Sequence, residues 1–287
     1  MRGPLVGALV AIGLIIGSAP SCATAQTSGA LRHYDLGGPV AWRFELPAEL
    51  AEVSGLAFTP DGRLLAHGDE EATIWQVDIA RRKPVSRFGF TGSGGLLLGD
   101  FEDIQAVDGR IFLVTSSGAL YEGREVGDGR VTAAVRRSRG LGGTCEVEGL
   151  AWDAATTSLL LLCKRVQSKQ WKDRVVILAI SARTWRLEEK PRIVIPTREL
   201  ERVTGAKRFN GSALTRHPRT GTFLLLAGPQ RAYAEVDASG KVLGGGRLDP
   251  DRHRQPEGIA IARDSTLIIS DEAAGKTAAI SGYAYRP

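Results

Sequence analysis

One short frame returns five times along the chain, and it limits the fold more than any other feature. Its versions are Glu52-Val53-Ser54-Gly55-Leu56-Ala57, Asp100-Phe101-Glu102-Asp103-Ile104-Gln105, Glu146-Val147-Glu148-Gly149-Leu150-Ala151, Asn210-Gly211-Ser212-Ala213-Leu214-Thr215 and Gln255-Pro256-Glu257-Gly258-Ile259-Ala260. The frame reads acidic or amide, any, Ser or Glu, small, aliphatic. From Gly55 to Asp103, Gly149, Ala213 and Gly258 the steps are 48, 46, 64 and 45 residues. A recurrence of that length marks stacked or radially arranged β-units.

Each frame leads into the same kind of sequence. Leu56-Ala57-Phe58 meets a turn at Pro60-Asp61-Gly62, followed by Arg63 to His67 and then by Ala72 to Asp78. Short aliphatic and aromatic runs bounded by Gly, Pro and Asp are strands joined by tight turns. The units around Val107 to Val114, Leu159 to Cys163, Thr222 to Ala227 and Thr266 to Ser270 repeat the pattern. The reading is all-β: a single β-propeller of five blades, each a four-stranded antiparallel sheet, with six blades as the alternative count. The last unit has room for only three strands, at Gly258 to Ala262, Leu267 to Ser270 and Ala278 to Tyr285. Val40 to Leu46 alternates like a strand and is expected to supply the fourth, closing the ring so that no sheet edge is left bare. The long step before Ala213 predicts an insertion at Thr197 to Val203 with a helical turn at Arg198 to Arg202.

The N-terminus reads as an export address. Met1-Arg2 carries positive charge, Leu5 to Ile16 is apolar but short for a membrane span, and Ala23-Thr24-Ala25 suits cleavage before Gln26. Cys22 offers lipid attachment as the alternative, and membrane contact is expected only in that case. The expected layout is a signal peptide at 1–25, an N-terminal tail at 26–39 and the propeller at 40–287, in the periplasm or outside the cell. Lys and Arg number 37 against 32 Asp and Glu, but they are interleaved. The runs Arg81-Arg82-Lys83 and Arg136-Arg137-Ser138-Arg139 read as solvated loops or outer strands, so no nucleic-acid partner is expected. Cys145 and Cys163 begin and end the two strands of one hairpin, which brings them together, as a disulfide in an oxidising compartment or as two buried thiols.

The frame, the leader and the size resemble the SdiA-regulated, YjiK-like family of exported β-propellers. The residues that carry the likeness are Glu52 to Ala57, Glu148-Gly149-Leu150-Ala151-Trp152-Asp153, Gln255 to Ala260 and Ser270-Asp271-Glu272. Similar Glu-Gly-hydrophobic blade motifs occur in phytase-like, strictosidine-synthase-like and gluconolactonase-like propellers. The resemblance implies an envelope protein with calcium at its central acidic residues. Asn210 and Ser212 in the fourth unit, and Cys163-Lys164-Arg165 in the third, depart from that pattern.

Hairpin geometry selects the same residues independently. The start of a first strand and the end of a second share one edge, so Glu52, Ser54, Asp100, Glu102, Asp103, Glu146, Glu148, Asn210, Ser212, Gln255 and Glu257 should converge with Asp69, Glu70, Ser116, Lys164, Arg165, Gln230, Arg231, Asp271 and Glu272. Crowded carboxylates need a cation or nearby Lys and Arg, and oxygen donors suit Ca²⁺. The expected metal residues are Glu52, Glu102, Glu148 and Glu257. The expected ligand residues are Asp69, Glu70, Lys164, Arg165, Arg231, Asp271 and Glu272. The alternative for each Glu is a staple that accepts backbone hydrogen bonds from a neighbouring blade.

The sequence holds no Gly-x-Ser-x-Gly elbow, phosphate-binding glycine loop or His-Glu-x-x-His. His67 reads as a core or edge residue, and His217 and His253 as surface turns. Two functional classes follow. The first is an envelope binding module with an axial cation, its partner a small anionic ligand or an envelope protein. The second is a calcium-assisted phosphoesterase or lactonase in which Glu148 or Glu257 is the general base and Lys164, Arg165 and Arg231 hold the substrate.

Overall fold

The computed structural model of the chain describes Gly3, residues 29–141 and residues 143–287. The signal peptide expected at 1–25, Cys22 included, therefore lies outside the described residues, apart from Gly3. Among the described residues no helix is long and apolar enough to cross a membrane.

Five antiparallel sheets form a five-bladed propeller, as the repeat predicts. In order from the axis outward, the first blade consists of Val53–Phe58, Leu64–Gly68, Thr73–Asp78 and Lys83–Gly92, and the second of Phe101–Val107, Arg110–Thr115, Ala119–Gly123 and Val135–Arg139. The third holds Cys145–Asp153, Ser158–Val166, Arg174–Ser181 and Ile193–Pro196, and the fourth Ala213–Arg216, Phe223–Ala227, Ala232–Val236 and Val242–Arg247. The fifth has Pro256–Ile261, Leu267–Asp271 and Ala279–Tyr283, and its outer strand is Trp42–Glu45 from the beginning of the chain. Trp42 stands opposite Gly282 and Glu45 opposite Ala279, so the two ends of the chain close the ring. Gly282 has a steric reason: a Cβ there would lie 2.2 Å from the Trp42 ring.

Strand composition follows depth. Inner strands such as Val53–Phe58 are buried on both faces and read as nearly unbroken small and apolar runs. The outer strand Val135–Arg139 is exposed or half-buried, and its Arg residues keep that edge in water. Between its third and fourth strands, the second blade sends out Val131–Ala133, which pairs in parallel with Lys83–Gly92 of the first blade. The hairpin at Asp108-Gly109 has both central residues at positive φ, 50° and 70°, the geometry a two-residue turn needs to match strand twist.

Hydrophobic contacts fill each of the five seams between neighbouring blades, one buried cluster to a seam. Thr197–Thr204 is the α-helix expected in the long step; it ends at Gly205 (φ 68°) and sends Leu200 into the seam between the third and fourth blades. The described part of the tail is packed too. Ala30, Leu31, Tyr34 and Leu36 enter the seam between the fourth and fifth blades. There the buried Glu235 carboxylate accepts hydrogen bonds from the Ala30 and Leu31 N–H groups at 2.8 and 2.9 Å.

The small residue of the frame marks where inner strands nearly touch. A Cβ on Gly149 would meet the Leu214 backbone nitrogen of the next blade at 2.9 Å. Because that obstacle is main chain, Gly149→Ala is expected to cost about 1–3 kcal/mol in chemical denaturation, an overpacking penalty. Gly37→Ala, where the space is open, is expected to cost little.

Candidate functional site

The third residue of each frame lines one cavity at the axis: Ser54, Glu102, Glu148, Ser212 and Glu257, one from each blade. The local cause is a β-bulge. In four blades the pairing of the first two strands skips a residue, between Val53 and Gly55, Phe101 and Asp103, Val147 and Gly149, and Pro256 and Gly258. The skipped residues are Ser54, Glu102, Glu148 and Glu257, and a bulge re-aims the side chain of its extra residue. Ser212 stands just before its strand and accepts a hydrogen bond from Gly228 N–H at 2.9 Å.

A second tier surrounds this ring. In each blade the first frame residue meets the end of the second strand. Asn210 and Gln230 bond through their side-chain amides at 3.0 Å. Ser116 donates to Asp100, and Gln255 to Glu272. Glu146 faces Lys164 at 3.9 Å and Arg165 at 3.6 Å. In the first blade two acids meet, and the charge of Asp69 pushes the Glu52 pKa up.

The cavity, about 210 Å³, is lined by Glu102, Glu148, Glu257, Glu272, Asp100 and Asp69, with Lys164 among them. Lys164 donates to Glu148 at 2.8 Å. Burial works against its charge, yet the Glu148 bond and the surrounding acids hold its pKa above the ordinary lysine value. One ammonium does not balance the rest. Burial, then the charges of Glu148, Asp100 and Glu257, push Glu102 up to about 9. Burial, then Glu272 and Glu148, push Glu257 up to about 8. Burial and Asp69 push Glu272 up to about 7, and burial raises Glu148 against the pull of Lys164. Such a mouth near neutral pH holds protons or takes up a cation.

The donors are carboxylates, hydroxyls and an amide, a set whose chemistry fits a hard ion such as Ca²⁺. Among the described residues no three His, Cys, Asp or Glu side chains are grouped closely enough to form a preformed cage. Glu102, Glu148 and Glu257, with Ser54 and Ser212 beside them, are the residues that would hold the ion.

The remaining expected site residues are spread over several places. Glu52 is exposed and lines a neighbouring groove with Asp69 and Glu70, so Ser54 takes the axial position in its blade. Arg165 is exposed beside Glu146 on the rim. Arg231 donates to the Arg254 carbonyl at 3.1 Å, outside the lining. Asp271 is buried behind the mouth, where its Oδ2 meets His253 Nδ1 at 2.9 Å and Arg43 at 3.3 Å.

In the second blade, stapling to the third is done by Asp103 and Gln105, one and three residues further along the frame than Glu102. Asp103, fully buried, accepts from Leu150 N–H of the third blade at 2.6 Å and from Ile104 N–H at 2.8 Å. Gln105 accepts from Trp152 N–H at 3.2 Å. His217 and His253 are buried, not surface residues as their turn-like sequences predict. They stitch loops: His217 Nε2 lies 3.0 Å from the Tyr34 hydroxyl, and His253 Nε2 lies 2.6 Å from that of Tyr283. His67 is in the core, as expected, and burial lowers its pKa to about 4. Cys145 and Cys163 form a disulfide with a Cα separation of 5.5 Å, locking the hairpin that carries Glu146, Glu148 and Lys164.

No family model matches the chain, and no curated protein matches it. Solved structures do. A glutaminyl cyclase from Myxococcus xanthus is 12% identical with a TM-score of 0.57, over 85% of this chain and 94% of that one. The calcium-binding protein regucalcin from Agrobacterium tumefaciens is 13% identical with a TM-score of 0.53, over 88% and 97% of the two chains. A gluconolactonase from Xanthomonas campestris is 15% identical with a TM-score of 0.50, over 81% and 72%. At these identities the likeness shows the β-propeller fold, and nothing finer.

Proposed function

We propose that the acidic mouth binds one calcium ion and that the chain is an exported binding module of the cell envelope, of the SdiA-regulated, YjiK-like kind that its repeat resembles. The observation that carries this reading is the convergence of Glu102, Glu148 and Glu257, from three blades, on one cavity where Lys164 is the balancing cation. The ion supplies positive charge that lets these carboxylates ionise together. The bulges aim the side chains, the disulfide fixes the third blade's hairpin, and Asp103 holds the second and third inner strands in register. The calcium-binding regucalcin shares the fold, which adds support.

Calorimetric titration of chelator-treated protein with Ca²⁺ is expected to give about one site per chain, binding more weakly to Mg²⁺, whose coordination demands a smaller and stricter shell. Glu102→Gln together with Glu257→Gln is expected to abolish the heat. Absence of a calcium response in the unsubstituted protein would overturn the reading.

A second reading is calcium-assisted hydrolysis of a lactone or phosphomonoester. Its support is Glu257, a carboxylate lining the mouth within the same cavity as Lys164, which would hold an anionic group. Glu148 is the other candidate base. The gluconolactonase noted above has the same fold. Turnover of such esters that requires calcium and disappears in Glu257→Gln would favour this reading over a binding module.

A further inference from the structure

The opposite end of the axis has a chemistry of its own. Residues further along the same inner strands border a second, open cavity of about 180 Å³, lined by Phe58, Trp152 and Ile259 together with the polar Gln105, Thr215 and Arg216. Arg216 makes this one different from a simple packing void.

Among the described residues its guanidinium has no full partner. The Nε atom is buried without an acceptor among the described residues. The nearest carboxylate oxygen, Asp153 Oδ1, is 3.7 Å away, beyond hydrogen-bonding distance. Asp153 is already engaged elsewhere: it accepts from Ala155 N–H at 3.2 Å, Thr156 Oγ1 at 2.6 Å and Arg192 at 3.4 Å. The amide of Gln105, also in the wall, is spent on Trp152 N–H and the Ala106 carbonyl. Arg216 is thus an under-used cation and donor at the edge of a ring-sized mouth whose exposed lining is more polar than apolar. A buried donor left unmade is costly, and a carboxylate is the acceptor that matches a guanidinium best.

We infer that this second mouth is a binding site for small monocarboxylates of about ring size, the body beside Phe58 and Trp152 and the carboxylate on Arg216. The site is separate from the acidic mouth and does not depend on calcium. Trp152 is half-buried in its wall, so occupancy is expected to change tryptophan fluorescence.

Benzoate, benzyl alcohol and benzylammonium, which share a ring and differ in charge, are the probes. Each is titrated into the full chain by calorimetry, with fluorescence in parallel. Benzoate is expected to bind, benzyl alcohol more weakly, and benzylammonium not measurably. Arg216→Gln is expected to weaken benzoate by about tenfold or more, the loss of a charged hydrogen bond, and to leave benzyl alcohol unchanged. Chelator and Glu102→Gln are expected to change neither. The inference is overturned by no uptake of benzoate at about 10 mM, where even a very weak site fills. Equal uptake of benzylammonium, or loss of benzoate binding in Glu102→Gln, overturns it as well. Should Arg216→Gln fail to fold, the ranking of the three probes on the unsubstituted chain decides.

Discussion

In chelator at about pH 9, the Glu102→Gln, Glu257→Gln double variant is expected to resist urea better than the unsubstituted protein, by on the order of 3 kcal/mol or roughly 1 M in midpoint. At about pH 4.5 the two are expected to unfold together. The sign follows from proton binding. Both carboxyls have pKa values raised by burial and by neighbouring acids, to about 9 and about 8. A raised pKa means the folded state holds the proton more tightly than the unfolded chain does. The stability it gives is complete below about 4.5 and is lost as pH climbs through 8 to 9. Glutamine mimics the protonated acid at every pH, so the variant does not share the loss.

Calcium should reverse the order. An ion that binds only the folded state stabilises it by mass action, and the unsubstituted chain alone keeps the carboxylates to receive it. With Ca²⁺ at about pH 9 the unsubstituted protein is therefore expected to overtake the double variant. A mouth that merely stores protons gives the pH slope without the calcium crossing. Carboxylates acting as staples give neither, since their replacement destabilises at every pH. Glu102 and Glu257 are better chosen than Glu148, whose bond to Lys164 at 2.8 Å adds an ion-pair loss to any substitution.

The architecture was legible because it is repeated. Five frames, three strands in the last unit and an alternating Val40 to Leu46 were enough to give five blades and a closing strand, and Trp42–Glu45 indeed pairs with Ala279–Tyr283. The axial tier was partly legible. Glu102, Glu148 and Glu257 stand on the axis, but a repeat read by composition favours the acid Glu52 over Ser54. Only the bulge, a pairing irregularity without a residue code of its own, tells which of two nearby residues turns inward. Buried polar groups were the least legible. His217, His253 and Asp271 sit among turn formers, and what buries them is packing against segments far away in the chain: Tyr34 for His217, Tyr283 for His253, Arg43 for Asp271. A glutamate that staples and a glutamate that faces a cavity also look alike in sequence. In the second blade the stapling side chain proved to be the adjacent Asp103, at the frame's small position.

Asp271→Ala is expected to cost about 3 kcal/mol, the usual penalty for stranding the partners of a buried charged group. Asp271 follows directly on the strand residue Ser270 and precedes Glu272, so its sequence context places it with the mouth, and its contacts place it inside the fifth blade, where the closing strand joins. Its Oδ2 holds Arg43 of the closing strand and His253 of the loop arriving from the fourth blade, and His253 in turn reaches Tyr283. Without the carboxylate, His253 Nδ1 is left in a site sealed from water with no acceptor. Arg43→Met is expected to cost far less, about 1 kcal/mol or below, because Arg43 is partly exposed and its ion pair is screened. The two roles for Asp271 differ in what calcium does. A latch residue lowers the urea midpoint by the same amount with calcium or chelator and leaves calcium affinity intact; a mouth residue keeps its midpoint in chelator and loses the calcium response. The first pattern is expected. The ring then depends on a polar latch behind the mouth, and a chain that loses this latch is expected to open within the fifth blade, at the junction of its first and last strands, while the five seams between blades remain packed.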